Sequence, residues 1–138
     1  MLEETNARQG LEIGMFIQSE SDCESFIAND GCSIIELLHP KRLDAKLDQP
    51  LGFSLAIAEV AVNQETYHHV LAHHEVYYVL SGSGEMHVDD ETAVIHAGDA
   101  VLIPAGSVQW IKNVGESVLK FAAVVSPPWT AESDRVVD

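Results

Sequence analysis

Basic residues are scarce in this chain: 7 Lys and Arg stand against 22 Asp and Glu in 138 residues, a formal net charge of -15. So acidic a surface repels nucleic acid and anionic membranes and gathers cations around any cleft, which excludes partners of the first two kinds. Cysteine is nearly absent. Cys23 and Cys32 are the only two, and their spacing, with no second Cys or His pair nearby, matches neither a zinc ribbon nor a redox pair, so both are expected as free thiols. No apolar run is long enough to span a bilayer, and Met1 to Gln9 carries Glu3 and Glu4 in place of a basic segment followed by an apolar stretch. A cytoplasmic protein is the expectation. Also missing are a Gly-rich phosphate loop opening a helix, a Gly-x-Ser-x-Gly elbow and a Cys in a context that favours a nucleophile.

The chain does carry 46% apolar residues, enough for one sizeable core, so a single domain over residues 1–138 is expected. Short apolar runs of period two recur at Ser33–Leu38, Gly52–Val62, Thr66–Leu71, Val76–Leu80, Gly84–Val88, Thr92–His96, Ala100–Ile103, Val108–Lys112 and Ser117–Val125. Turn chemistry separates them, as in Ser81-Gly82-Ser83-Gly84, Asp89-Asp90, Ala97-Gly98-Asp99 and Pro104-Ala105-Gly106. This is an all-β pattern of sandwich or barrel type. Ser21–Asn29 is the one stretch that could make a helical turn or two, with Ser21 or Asp22 as cap. Thr130–Asp138 reads as a polar tail after Pro127-Pro128.

Chemistry concentrates between Thr66 and Gly82, where His68, His69, His73, His74 and Glu75 fall together. If Ala72-His73-His74 is a hairpin loop, Leu71 lies opposite Glu75 and His69 opposite Tyr77, so that His69, Leu71, Glu75, Tyr77 and Val79 share the interior face. His69 and Glu75 are then diagonal neighbours roughly 7–8 Å apart at the backbone, a span their side chains can close onto one ion with bonds of about 2 Å. A buried His69 satisfied by Glu75 or Tyr77 is the plain structural alternative. Tyr77 is either core or a phenol that donates a proton or binds an oxyanion. His68 should point outward. His73 and His74 fall in the turn, where a shift of one residue would bring His73 to the site. Trp110 and Trp129 read as packing residues, His39, His87 and His96 as isolated, and Glu85 with Asp89-Asp90 as a solvated hairpin end.

The turn spacings add a resemblance. Glu75 is followed by six residues and Gly82; Gly98 is followed by five residues, Pro104-Ala105-Gly106, two more, Gln109, three more and Asn113. This resembles the two-motif signature of the cupin superfamily, with the first motif at about 63–82 and the second at about 98–113. The resemblance implies a cupin-like double-stranded β-helix, or jelly-roll barrel, here with a short N-terminal helical segment. In register, His69 stands at the motif's first His, Leu71 at its second, Glu75 at its Glu and Gln109 at its last His, while Asn63 stands at its first Gly. Asn is tolerable there because it enters the left-handed region readily. A register with His68 first and Val70 second would reverse the facing of the strand.

What the resemblance implies for function is a divalent first-row metal (Zn, Mn, Fe or Ni) held by His69, Glu75 and Gln109, the last reaching in from the opposite sheet, with His73 in reserve. Such an ion would assist an isomerase, lyase or cyclase acting on a small oxygenated molecule, with Glu75, His69 or Tyr77 moving a proton. The second reading is a non-catalytic sensor or carrier that binds a small ligand or metal. An iron dioxygenase ranks lower, because it usually relies on more histidines. Outward apolar positions at Val76, Tyr78 and Leu80 lead to the expectation of a homodimer.

Overall fold

The computed structural model describes residues 14–43 and 47–137; the expectations for Met1–Gln9 lie outside the described residues. The described chain forms eleven strands: β1 (Phe26–Ile27), β2 (Ser33–Leu38), β3 (Ser54–Val60), β4 (His69–Leu71), β5 (His74–Ser81), β6 (Ser83–Val88), β7 (Glu91–His96), β8 (Ala100–Ile103), β9 (Val108–Asn113), β10 (Leu119–Ser126) and β11 (Asp134–Val136). They pair antiparallel in two sheets, ordered β1-β2-β3-β10-β5-β8 and β11-β4-β9-β6-β7. This is the jelly-roll barrel that the sequence pattern predicts. Among the described residues no helix is long and apolar enough to cross a membrane.

Alternation places the core. In β10 Leu119, Phe121, Ala123 and Val125 are buried while the residues between them are half-buried, as a pleat with one face inward requires. Val79, Ile103 and Phe121 from the first sheet meet Met86, Ile95 and Ile111 from the second. Each such side chain contributes about 1.5–3 kcal/mol by leaving water. Asn63 has φ 65°, the left-handed region open to Asn. Gly82 has φ +87°, and a Cβ there would come within 2.8 Å of the Val118 carbonyl oxygen, so only glycine fits.

Asn113 ties the barrel end. Its Nδ2 donates to the carbonyls of Val60 and Ser117, each at 2.9 Å, and its Oδ1 accepts from Gly115 N–H at 2.9 Å. The side chain is buried, so truncation would strand polar groups away from water. We expect Asn113→Ala to lower unfolding free energy by about 3 kcal/mol, read by urea titration.

Three expectations are corrected. Ser21–Asn29 is not helical beyond a single 3-10 turn at Glu20–Asp22; Ser19, not Ser21 or Asp22, stands at its N-cap and makes no side-chain cap bond. Phe26 and Ile27 pair instead with Ile34 and Ser33, because Asn29-Asp30-Gly31 turns the chain, with Gly31 at φ +86° and Asp30 Oδ1 accepting from Cys32 N–H at 3.0 Å. The polar tail holds structure: Thr130 and Ser133 form a reciprocal capping box over a 3-10 turn, and β11 then pairs with β4. β4 and β5 are not a hairpin. The chain changes sheets between Leu71 and His74, so β4 pairs with β9 and β11, and β5 with β8 and β10.

Candidate functional site

A cavity of about 60 Å³ lies between the two sheets. Phe26, Ala58, Phe121 and Trp129 form its apolar walls; Asp30, His69, Glu75 and Asp134 supply its polar part. Each polar group arrives by a different route. His69 is an inward position of β4, beside its pairing partner Gln109 on β9. Glu75 and Tyr77 are successive inward positions of β5. Asp30 closes the β1–β2 turn, and Asp134 opens β11.

The His69 ring is oriented by its own strand entry: Nδ1–H donates to the Tyr67 carbonyl at 3.0 Å. A carbonyl can only accept, so the neutral ring presents an unprotonated Nε2 to the cavity. Asp30 Oδ2 lies 3.8 Å from that Nε2, an ion pair whenever the ring is protonated. Glu75 is 7% exposed, and its Oε1 has no hydrogen-bond partner. Burial pushes its carboxyl up to about 8, reinforced by Asp30 and Asp134 and opposed by a hydrogen bond from Gln109. Asp30 is also raised, first by burial, with the His69 charge pulling it back. Burial, then the Glu75 charge, raises the Tyr77 phenol, which donates to Gln109 Oε1 at 3.2 Å and packs on Phe121 with ring centroids 4.2 Å apart. Cys32 lines the same cavity, but burial raises its thiol, which leaves no reactive thiolate at neutral pH.

Of the residues that sequence reasoning selected, the fold brings His69, Glu75 and Tyr77 to one cavity, with Leu71 also lining it. Gln109 is on the sheet of His69 rather than the opposite one, and lies behind Tyr77 outside the lining. His73 is half-buried with an unpartnered Nδ1 and is not in the lining. His68 stacks on Trp110 with centroids 3.7 Å apart. His87 is not isolated, since it stacks on Trp110 at 4.2 Å and bonds Glu85 at 2.8 Å. Asp30, Cys32, Trp129 and Asp134 were not foreseen as site residues. The Asn-Asp-Gly turn and the Thr130/Ser133 capping box were the available signals for the segments carrying Asp30 and Asp134.

A resident first-row metal takes several nitrogen, oxygen or sulfur ligands converging at about 2 Å. Among the described residues no three His, Cys, Asp or Glu side chains are placed to hold an ion. Leu71 stands where a second imidazole would be, Tyr77 engages the Gln109 oxygen, and His73 lies off the cavity. The set His69, Glu75, Gln109 and His73 therefore does not fit a metal in this arrangement. It fits the exchange of protons: a carboxyl that retains its proton near neutrality and an imidazole nitrogen free to take one.

Comparison with known proteins agrees with the fold. The family model described as the cupin domain matches residues 56–125. An uncharacterized protein of Methanocaldococcus jannaschii is 33% identical over 88% of this chain and 95% of its own. An oxalate-binding protein of Thermotoga maritima is 32% identical over 65% of this chain and 67% of its own. Among solved structures, the polyketide cyclase RemF from Streptomyces resistomycificus superposes with a TM-score of 0.70 at 23% identity, covering 91% of this chain and 87% of that one. With both motifs, both sheets and these matches in agreement, the chain belongs to the cupin family.

Proposed function

We propose that the cavity is a metal-independent acid–base site for a small oxygenated molecule, and that the protein is an isomerase, lyase or cyclase of that kind. The observation that carries this reading is the placement of the His69 ring and the buried Glu75 carboxyl on the walls of one cavity, where burial favours the protonated carboxyl. In the simplest step, His69 Nε2 takes a proton from the carbon beside a carbonyl while Glu75 gives its proton to the carbonyl oxygen. On an α-hydroxyketone an enediol forms; His69 then returns its proton to the former carbonyl carbon while the neighbouring hydroxyl gives its proton back to Glu75, which yields the isomer without any other reactant. Tyr77 holds Gln109, whose hydrogen bond to Glu75 tempers the carboxyl.

The test is a panel of small ketones and hydroxyketones incubated with the protein in D2O, with carbon-bound deuterium read by NMR. Enzymatic exchange on at least one compound, lost in His69→Asn and Glu75→Gln, supports the reading. Binding without exchange would favour the non-catalytic carrier, a reading supported by likeness to the oxalate-binding protein. Oxalate itself suits this cavity poorly, because among the described residues the lining holds four acids and no Lys or Arg. The free thiols of Cys23 and Cys32 support a reducing, cytoplasmic setting.

We also propose a homodimer. Tyr78, Leu80 and Leu102, on neighbouring strands β5 and β8, are 47%, 42% and 67% exposed, and a second copy would cover them. Light scattering at micromolar concentration should give twice the chain mass, and Leu102→Glu should halve it.

A further inference from the structure

Three carboxylates face this cavity with incomplete partners. Glu75 Oε1 and Asp134 Oδ1 are buried and have no hydrogen-bond partner among the described residues. Asp30 Oδ2 has its closest cationic group, His69 Nε2, at 3.8 Å, beyond hydrogen-bond reach. Their other contacts are satisfied: Trp129 Nε1–H donates to Asp134 Oδ2 at 3.0 Å, and Cys32 N–H to Asp30 Oδ1 at 3.0 Å. The one further acid in the lining, Glu36, is paired with Arg42 at 3.0 Å. Among the described residues no Lys or Arg lines the cavity. Four aromatic rings do: Phe26, Tyr77, Phe121 and Trp129.

A buried carboxylate oxygen without a partner is costly, and two of them in one lining with Asp30 Oδ2, which has only the imidazole at 3.8 Å, call for a group rich in donors. A primary ammonium has three N–H donors and no acceptor, and its charge is attracted to aromatic faces. Resting on the reading of this cavity as a ligand site, we infer that the molecule it takes carries a primary ammonium group on a small apolar or aromatic body. The ammonium is received by Glu75 Oε1, Asp134 Oδ1 and Asp30 Oδ2, and the body lies against Phe26, Phe121 and Trp129. Glu75 accepts through Oε1 in either protonation state, so it keeps its proton-transfer role. The raised carboxyls of Glu75 and Asp30 agree with this arrangement: crowded acids lacking a counter-cation hold protons instead. Sequence motifs alone give no hint of it, since Asp30 and Asp134 lie outside both.

Titration calorimetry on the full chain at pH 7 tests the charge directly with benzylammonium, benzyl alcohol and benzoate, which share one body. Benzylammonium, or the slimmer propylammonium should the ring not enter, is expected to bind at least tenfold tighter than its alcohol, with the carboxylate binding weakest. Asp134→Asn and Asp30→Asn should each weaken the ammonium about tenfold and leave the alcohol within twofold. Benzoate binding as tightly as the ammonium, no binding of either ammonium at millimolar concentration, or Zn2+ alone binding and displacing the ammonium would each overturn the inference. The wild-type series decides even where a variant fails to fold. The two readings fail separately: His69-dependent exchange on a neutral ketone without ammonium binding sinks only this one, and ammonium binding without exchange sinks only the acid–base reading.

Discussion

Glu75→Gln should remove most of the pH dependence of stability between about pH 4.5 and 8. In the native chain the Glu75 carboxyl is pushed from its ordinary 4.5 up to about 8, so the folded state binds a proton that the unfolded state has already released. Stability from this group is fully present below pH 4.5 and is lost as pH rises through 8. Each pH unit of that window is worth about 1.4 kcal/mol, so the change amounts to a few kcal/mol. Asp30, raised by the same burial, adds in the same direction. Urea midpoints measured from pH 4.5 to 9 should therefore fall steadily for the wild type and much less for Glu75→Gln, which fills the same space without an ionising group and keeps only the Asp30 contribution. A wild-type midpoint that climbs with pH over this range would show that Glu75 is ionised in the fold, and the general-acid role would fall with it.

His69→Asn should cost between about 10² and 10⁴ in turnover, the usual worth of a positioned general base, while substrate binding changes by less than tenfold. The asymmetry follows from the geometry. His69 is held through Nδ1 by the Tyr67 carbonyl and offers only Nε2 to a ligand, so its loss removes the acceptor of the moving proton but few binding contacts. Asparagine can still donate to that carbonyl and spares the local backbone bond. A substituted protein that binds and turns over unchanged would reduce His69 to a packing residue. Chelator treatment provides the complementary observation: exchange activity should survive it undiminished, because no step depends on an ion.

Much of this was legible in the sequence, for identifiable reasons. Period two fixes which residues of β5 and β10 face inward, so Glu75, Tyr77 and Phe121 could be assigned to the interior from alternation. The residues that broke the pattern lay where alternation says nothing. β4 is three residues long, too short to show whether it turns back on β5 or crosses to the other sheet, and the hairpin assumption placed Gln109 on the wrong side. Asp30 and Asp134 were invisible because each sits in a polar turn or tail whose composition reads as solvent-facing. Burial came from distant pairing, β1 with β2 and β11 with β4, which local chemistry does not encode. The fit of a metal turns on a related point: spacing locates positions, whereas Leu71 and the Tyr77–Gln109 bond decide which donors remain.

The crossing of the chain between Leu71 and His74 has a mechanical consequence. His69 belongs to one sheet and Glu75 to the other, so the gap between base and acid is a thickness, set by the side chains wedged between two layers. Trimming a wedge outside the cavity lining, such as Ile111, would let the layers settle and retune proton transfer without touching the residues that perform it.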